Sequence, residues 1–152
     1  MKELKITPIK NGTVIDHINA GASMKVLKIL GLPREGSASV ISVAINVPSK
    51  TDAMKDIVKI EDRELDKSEV DRITLVAPHA VINIIRNYEV AEKRPVQLPD
   101  VVKGIVRCEN PNCISNAKEP VESVFYVVSK NPLRLKCHYC EREITDISAH
   151  II

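Results

Sequence analysis

Four cysteines are the residues of this 152-residue chain whose spacing points most directly to chemistry. Cys108 and Cys113 are separated by four residues, Cys137 and Cys140 by two, and 23 residues lie between the pairs. Two such knuckles offer four thiolates, a tetrahedral donor set that suits one Zn2+ per chain. With every position filled by protein, no place remains for a substrate or an activated water, so the ion is expected to be structural. The spacing alone leaves open two disulfides, four free thiols, an iron–sulfur cluster or a rubredoxin-like iron, whereas a reducing cytosol and the knuckle sequence CHYC favour zinc. His138 sits inside the second knuckle and, with four thiols available, is expected to face solvent or to support the ligands from outside.

A second group lies near the N-terminus, in the stretch GTVIDHI from Gly12 to Ile18. Strand alternation would put Val14, Asp16 and Ile18 on one face and Thr13, Ile15 and His17 on the other, so that a polar residue falls among apolar neighbours. Asp16 and His17 read either as a solvated strand end or as a ligand site. A carboxylate suits a ribose diol, and an imidazole can reach a phosphate or sugar oxygen. Lys59, Lys93 and Arg94 supply cations for phosphates, each taken singly reading equally as a solvated surface charge.

The elements that must carry these groups follow from pattern. Residues 4–9 and 13–18 are rich in β-formers and flank Asn11-Gly12, a two-residue hairpin signal. Helical spacing over 22–30 ends at Gly31-Leu32-Pro33. A β-branched run follows at 38–47, and after a polar loop comes a shorter strand at 57–61. Asp66 and Glu69 have capping-box spacing, with Leu65 and Val70 as the flanking staple, and Pro78 closes that helix. Two further strands, or one bent one, are expected over 80–85 and 88–91. The order β-β-α-β-β-α-β predicts an α+β unit, a mainly antiparallel sheet with two helices on one face, ferredoxin-like in class. EKRPVQLPD over 92–100 reads as a linker and places the division between residues 1–97 and 98–152.

The second piece is so small that a hydrophobic core alone is marginal, whereas structural zinc contributes about 10–16 kcal/mol in small peptides. Short antiparallel strands at 105–107, 124–128, 133–137 and 144–151 would form a small all-β, zinc-ribbon-like sheet.

Composition excludes several function classes. The net charge of +2 and the single Phe, three Tyr and absent Trp give little with which to hold phosphates or stack bases. Residues 100–152 carry seven basic and seven acidic side chains, so the ribbon is neutral. That favours docking on another protein over nucleic-acid binding, the alternative reading for a zinc ribbon. No apolar run is long enough to span a membrane, and MKELKITPIK is no signal peptide, so a cytoplasmic protein without membrane contact is expected. No Walker loop, GxGxxG turn, nucleophile elbow or open metal site is present, and no residues form a catalytic constellation.

Four motifs in order, GTVIDHI, IVKIED at 57–62, NYEV with Lys93-Arg94-Pro95 at 87–95, and C-x4-C-I-S with KCHYCE at 108–141, resemble the regulatory chain of aspartate carbamoyltransferase. The resemblance covers essentially the whole chain. It implies a non-catalytic subunit of pyrimidine biosynthesis that binds CTP as inhibitor and ATP as activator, pairs with its twin, and docks on the catalytic chain through its zinc domain. Carried over by position, Asp16 and Lys59 hold the ribose, and His17 and Lys93 the sugar-phosphate end. Ile9, Val14, Asn83, Ile85, Tyr88 and Val90 would wall the base, with backbone groups of Ile9, Ile85 and Tyr88 reading its edge. Pro8 and Lys55 neighbour that site.

Overall fold

The computed structural model describes residues 9–32, 35–36, 38–50, 53–117, 121–130 and 132–152, and the chain divides into two compact units, Met1–Gln97 and Leu98–Ile152. Among the described residues no helix is long and apolar enough to cross a membrane.

The first unit runs β1 (Gly12–Asn19), α1 (Ser23–Ile29), β2 (Ile41–Pro48), β3 (Met54–Glu61), α2 (Lys67–Thr74), β4 (Val81–Arg86) and β5 (Glu89–Pro95). Its sheet has the order β2-β3-β1-β4-β5, and every pairing is antiparallel. The βαββαβ portion is the split βαβ arrangement of ferredoxin-like folds, to which β5 adds one edge. Both helices pack on one face, where Val26, Leu27 and Ile73 meet Ile15 and Ile18 of β1, Val58 and Ile60 of β3, and Ile82 and Ile84 of β4. Burying each such aliphatic side chain contributes about 1.5–3 kcal/mol.

Helix ends are written locally. At α1, Gly31 adopts φ 69°, its N–H donates to Lys28 O, and Leu32 N–H reaches back to Leu27 O at 2.9 Å. These are the paired bonds of a Schellman stop, with Leu32 and Leu27 both buried. At α2, Asp66 Oδ1 accepts the Glu69 N–H at 2.9 Å and Glu69 Oε1 accepts the Asp66 N–H at 3.3 Å, a capping box that leaves neither donor orphaned. The helix ends at Thr74, four residues before Pro78, because Leu75 and Val76 tighten into i→i+3 bonds with Arg72 O and Ile73 O.

Several expectations change. Asn11-Gly12 is no hairpin turn, since β1 is bonded by β3 on one edge and β4 on the other. The strand expected over 4–9 lies outside the described residues except for Ile9, which is buried and in no strand. The true hairpin is Asn87-Tyr88, between paired Arg86 and Glu89, with φ 53° and 66°. Two successive left-handed residues are the signature of a type I′ turn, a position that favours glycine and here holds an exposed tyrosine. β5 runs on to Pro95, so the first four of the nine residues expected as linker are strand. β3 begins at Met54 and takes in Asp56, which the sequence pattern assigns to a polar loop.

In the second unit β6 (Val101–Lys103), β7 (Val124–Lys130) and β8 (Leu133–Cys137) form an antiparallel sheet around Val102, Val106, Phe125 and Leu135. β6 is too short to show a period. Residues 105–107 contribute one bridge, Val106 to Ile151. Nor is 144–151 a strand: Asp146 Oδ1 accepts from Ser148 Oγ at 3.0 Å and from Ala149 N–H at 3.4 Å, and Ser148–His150 closes a 3-10 turn. A local acceptor of this kind competes with ladder bonds.

Candidate metal centre and open sheet face

The metal centre is built from two short turns. In the first, Cys113 N–H donates to Asn110 O, and Asn116 Nδ2 donates to Cys108 O at 2.9 Å and Asn110 O at 2.8 Å, clamping the loop between the thiols. In the second, Glu141 at φ 62° reverses the chain after Cys140. There Glu141 N–H reaches Cys137 O, and Cys137 N–H reaches Arg142 O. The four Sγ atoms all lie within 4.8 Å of one another.

The separations test the fit. Cys108 Sγ to Cys140 Sγ is 3.6 Å and Cys113 Sγ to Cys137 Sγ is 3.7 Å. A disulfide needs about 2.05 Å. Tetrahedral bonds of about 2.3 Å place ligand sulfurs about 3.8 Å apart, so the donor set suits one metal ion of zinc's size. Burial pushes the Cys108 thiol up to about 12, and burial also raises Cys137. For Cys140 burial acts in the same direction but is outweighed by the Arg142 N–H and the neighbouring thiols, which hold it at about 7. Such a cluster ionises fully only against a cation, which couples metal binding to proton release. His138 is no ligand: its Nδ1 lies 2.6 Å from Tyr126 Oη, and its ring packs edge-on against Tyr126 and Tyr139.

In the first unit the decisive feature is a bulge. The β1–β3 register steps from Ile15↔Val58 to Ile18↔Asp56, so one extra residue is taken up within Asp16-His17. His17 sits at φ 58°. Strict alternation would have turned Ile18 away from the core; with the bulge, Ile15 and Ile18 are both fully buried on the helix side. Asp16 stays on the opposite face with Val14, and His17 is exposed. Asp16 Oδ1 accepts the His17 N–H at 2.7 Å and the Lys55 Nζ at 2.9 Å.

Among the described residues no helix lies over that opposite face. One row crosses all five strands there: Ser42, Lys59, Val14, Asn83 and Lys93 are successive register partners. Asn83 Nδ2 donates to Val14 O at 3.4 Å. Ile85, buried, and Val90, exposed, are partners beside this row. Tyr88 N–H bonds Lys10 O at 2.9 Å, bringing the β4–β5 turn against the segment that follows Ile9. Arg94 pairs with Ile82 in register, and therefore belongs to the helix side, unlike Lys93. Lys59 is 9% exposed, and burial pushes its ammonium below the ordinary value while Glu61 partly restores it. Pro8 lies outside the described residues.

Two findings from comparison with known proteins decide the lineage. Residues 4–97 match the family model "Aspartate carbamoyltransferase regulatory chain, allosteric domain", and residues 100–150 match "Aspartate carbamoyltransferase regulatory chain, metal binding domain". The chain belongs to the aspartate carbamoyltransferase regulatory chain family. Relatives of that name include one from Methanothermobacter thermautotrophicus, 58% identical over 142 residues that cover 93% of this chain and 90% of the relative. Another, from Pyrococcus horikoshii, is 54% identical over 146 residues, covering 96% and 95%. A third, from Methanocaldococcus jannaschii, is 51% identical over 147 residues, covering 97% and 96%. The chain is thus a regulatory, non-catalytic one.

Sequence reasoning missed two residues at this regulatory-chain sheet. Ser42 joins the open row only through the β2–β3 register, which no local pattern reveals. Asp56, fully buried, accepts N–H bonds from Gly21 at 3.0 Å, Ser23 at 3.1 Å and Asn46 at 3.0 Å. Its signal was an acid abutting the apolar run IVKI. Burial acts to raise its pKa, but hydrogen bonding to the carboxylate outweighs it, holding Asp56 below the ordinary 3.8. The Ser23 Oγ meets no partner with hydrogen-bond geometry among the described residues, so the backbone bonds carry the effect. A depressed carboxylate contributes stability that is present above its unfolded pKa and lost as pH falls through the folded value. Unfolding of the first unit is therefore expected to become pH-sensitive below 3.8, and Asp56→Asn to flatten that dependence in chemical-denaturation curves taken from pH 6 downward.

Proposed function

We propose that this chain binds CTP and ATP on the open face of its first unit, CTP inhibiting and ATP activating a catalytic aspartate carbamoyltransferase chain on which its zinc-loaded second unit docks. The observation that carries the reading is the row from Lys59 through Val14 and Asn83 to Lys93, with Asp16 beside it. At about 4.8 Å per strand, the two lysines stand about 14 Å apart along the backbone, a span that suits an extended nucleoside phosphate. Asp16 and Lys59 serve the ribose, His17 and Lys93 the sugar-phosphate end. Ile9, Val14, Asn83, Ile85, Tyr88 and Val90 form the wall around the base. Each effector acts by its differential affinity for two quaternary states of the assembly.

Pairing of two copies belongs to the same reading. Edge strand β5 carries Glu89, Glu92, Lys93, Arg94 and Pro95, which blunt it against pairing. β2, the other edge, presents exposed Val43 and Ile45 and no charged side chain, and it supports a regulatory homodimer.

The test is calorimetric titration of the zinc-loaded chain with each nucleotide, then assay of the catalytic chain with and without it. Saturable binding that changes the partner's activity is the expected result. No binding would remove the nucleotide role and leave docking alone. Lys93 is exposed, so Lys93→Ala is expected to leave the unfolding temperature unchanged and to weaken CTP by about 10-fold to 100-fold, the loss of one charge-assisted contact. Unaltered affinity would take Lys93 out of the site.

A further inference from the structure

We propose that Asp56 is a positioning residue that ties the Asp16-His17 bulge to edge strand β2, so that displacement of the bulge is felt at that edge. Its relevance to regulation rests on the reading of the open face as the nucleotide site.

Three segments meet at this one carboxylate. Oδ2 accepts the N–H groups of Gly21, in the turn after β1, and Ser23, the first residue of α1, and Oδ1 accepts the N–H of Asn46 in β2. Two irregularities converge on the same short piece of β3. The β1 bulge falls between the pairs Ile15↔Val58 and Ile18↔Asp56, and β2 has its own bulge between Ala44↔Ile57 and Val47↔Lys55. Each carries a non-glycine residue in the left-handed region, His17 at φ 58° and Asn46 at φ 58°. Such conformations cost about 1–2 kcal/mol each and persist only where the surroundings hold them.

Lys55 and Asp56 grip the two bulges from opposite faces of β3. On the open face Lys55 Nζ holds Asp16 Oδ1 at 2.9 Å; on the helix face Asp56 holds the chain after β1 and the turned-out residue of β2. A group that binds Asp16 competes with Lys55 and shifts the bulge. Ile18, the first residue beyond the bulge, is the register partner of Asp56, so the shift reaches the carboxylate. There the Asn46 bond carries it into β2. Charge-assisted bonds to backbone donors are short and directional, which makes the clasp stiff enough to transmit a small displacement.

The test reads amide hydrogen exchange by NMR on the full zinc-loaded chain, first without ligand. His17→Gly relaxes the left-handed residue and is expected to change exchange at the Asn46 amide by about threefold or more, while Ile84 across the sheet keeps its rate. In an Asp56→Asn background the same His17→Gly change is expected to leave Asn46 unmoved. A purely structural role would instead raise exchange generally and preserve the His17→Gly effect, which overturns the proposal. Should Asp56→Asn fail to fold, His17→Gly alone decides, since an unchanged Asn46 amide overturns the relay. Saturating CTP is expected to alter the Asn46 rate in the parent chain. CTP bound with Asn46 unmoved overturns the coupling, whereas CTP that does not bind overturns the nucleotide reading and leaves the ligand-free result to judge the relay.

Discussion

Cys113→Ala is expected to empty the metal centre and unfold the second unit while the first stays folded. Cys113 is buried, its Sγ lies 3.7 Å from Cys137 Sγ, and its loss leaves three thiols in a site shaped for four. Structural zinc in small peptides is worth about 10–16 kcal/mol at neutral pH, more than a domain of this size gains net from its core. The core of Val102, Val106, Phe125 and Leu135 therefore cannot carry the unit alone. Metal analysis after a competing chelator should fall from one ion per chain to near none, and far-UV dichroism should show loss of the β6–β8 sheet. Docking on a catalytic chain should fail with it. A metal-free variant that kept a cooperative unfolding transition for this unit would show that packing, and not the ion, holds it together.

Gly12→Ala is expected to be the most damaging substitution in the first unit. Gly12 sits at φ 142°, and a Cβ there would stand 2.1 Å from the Ile60 carbonyl oxygen and 3.0 Å from Glu61 Cα. Those are backbone atoms of a strand fixed on both sides by β1 and β2, so no side chain can swing aside to make room. Strain at a disallowed φ and displacement of the β1–β3 ladder together should cost about 4 kcal/mol or more, in the class of exceptional single mutations. For a unit of this size that lowers the unfolding temperature by about 15–30 °C. Gly36→Ala is the control, because Gly36 also has positive φ, 81°, but nothing within 4 Å of its would-be Cβ; it should cost only about 1 kcal/mol. Equal losses at the two positions would mean that φ alone, and not the approach of β3, makes Gly12 obligatory.

How far the sequence reached differs from element to element. The capping box at Asp66 and the stop at Gly31 were legible because each is closed by bonds spanning three to five residues. Asn11-Gly12 misled because its residues suit a hairpin turn, whereas the space around β1 was claimed by β3 and β4. Asn87-Tyr88 escaped notice for the converse reason: tyrosine is a poor turn residue, held left-handed here by paired strands on either side and the bond to Lys10 O. In the second unit, Asp146 turned an apparently β-rich C-terminal run into a 3-10 turn.

By itself the sequence determined the four-thiol donor set, the stop of α1, the start of α2 and the family, since thiol spacing, caps and motif order are properties of neighbouring residues. Only the tertiary structure decided which face each site residue occupies. Alternation counted along β1 would have put Ile18 with Asp16; pairing with β3 inserts a bulge, sends Ile18 into the core and leaves Asp16 on the open face beside the row from Ser42 to Lys93. Register is fixed by contacts between strands 40 to 70 residues apart, such as Ile15 with Val58 and Asn83 with the Val14 carbonyl. A one-residue step in it reverses every side chain beyond.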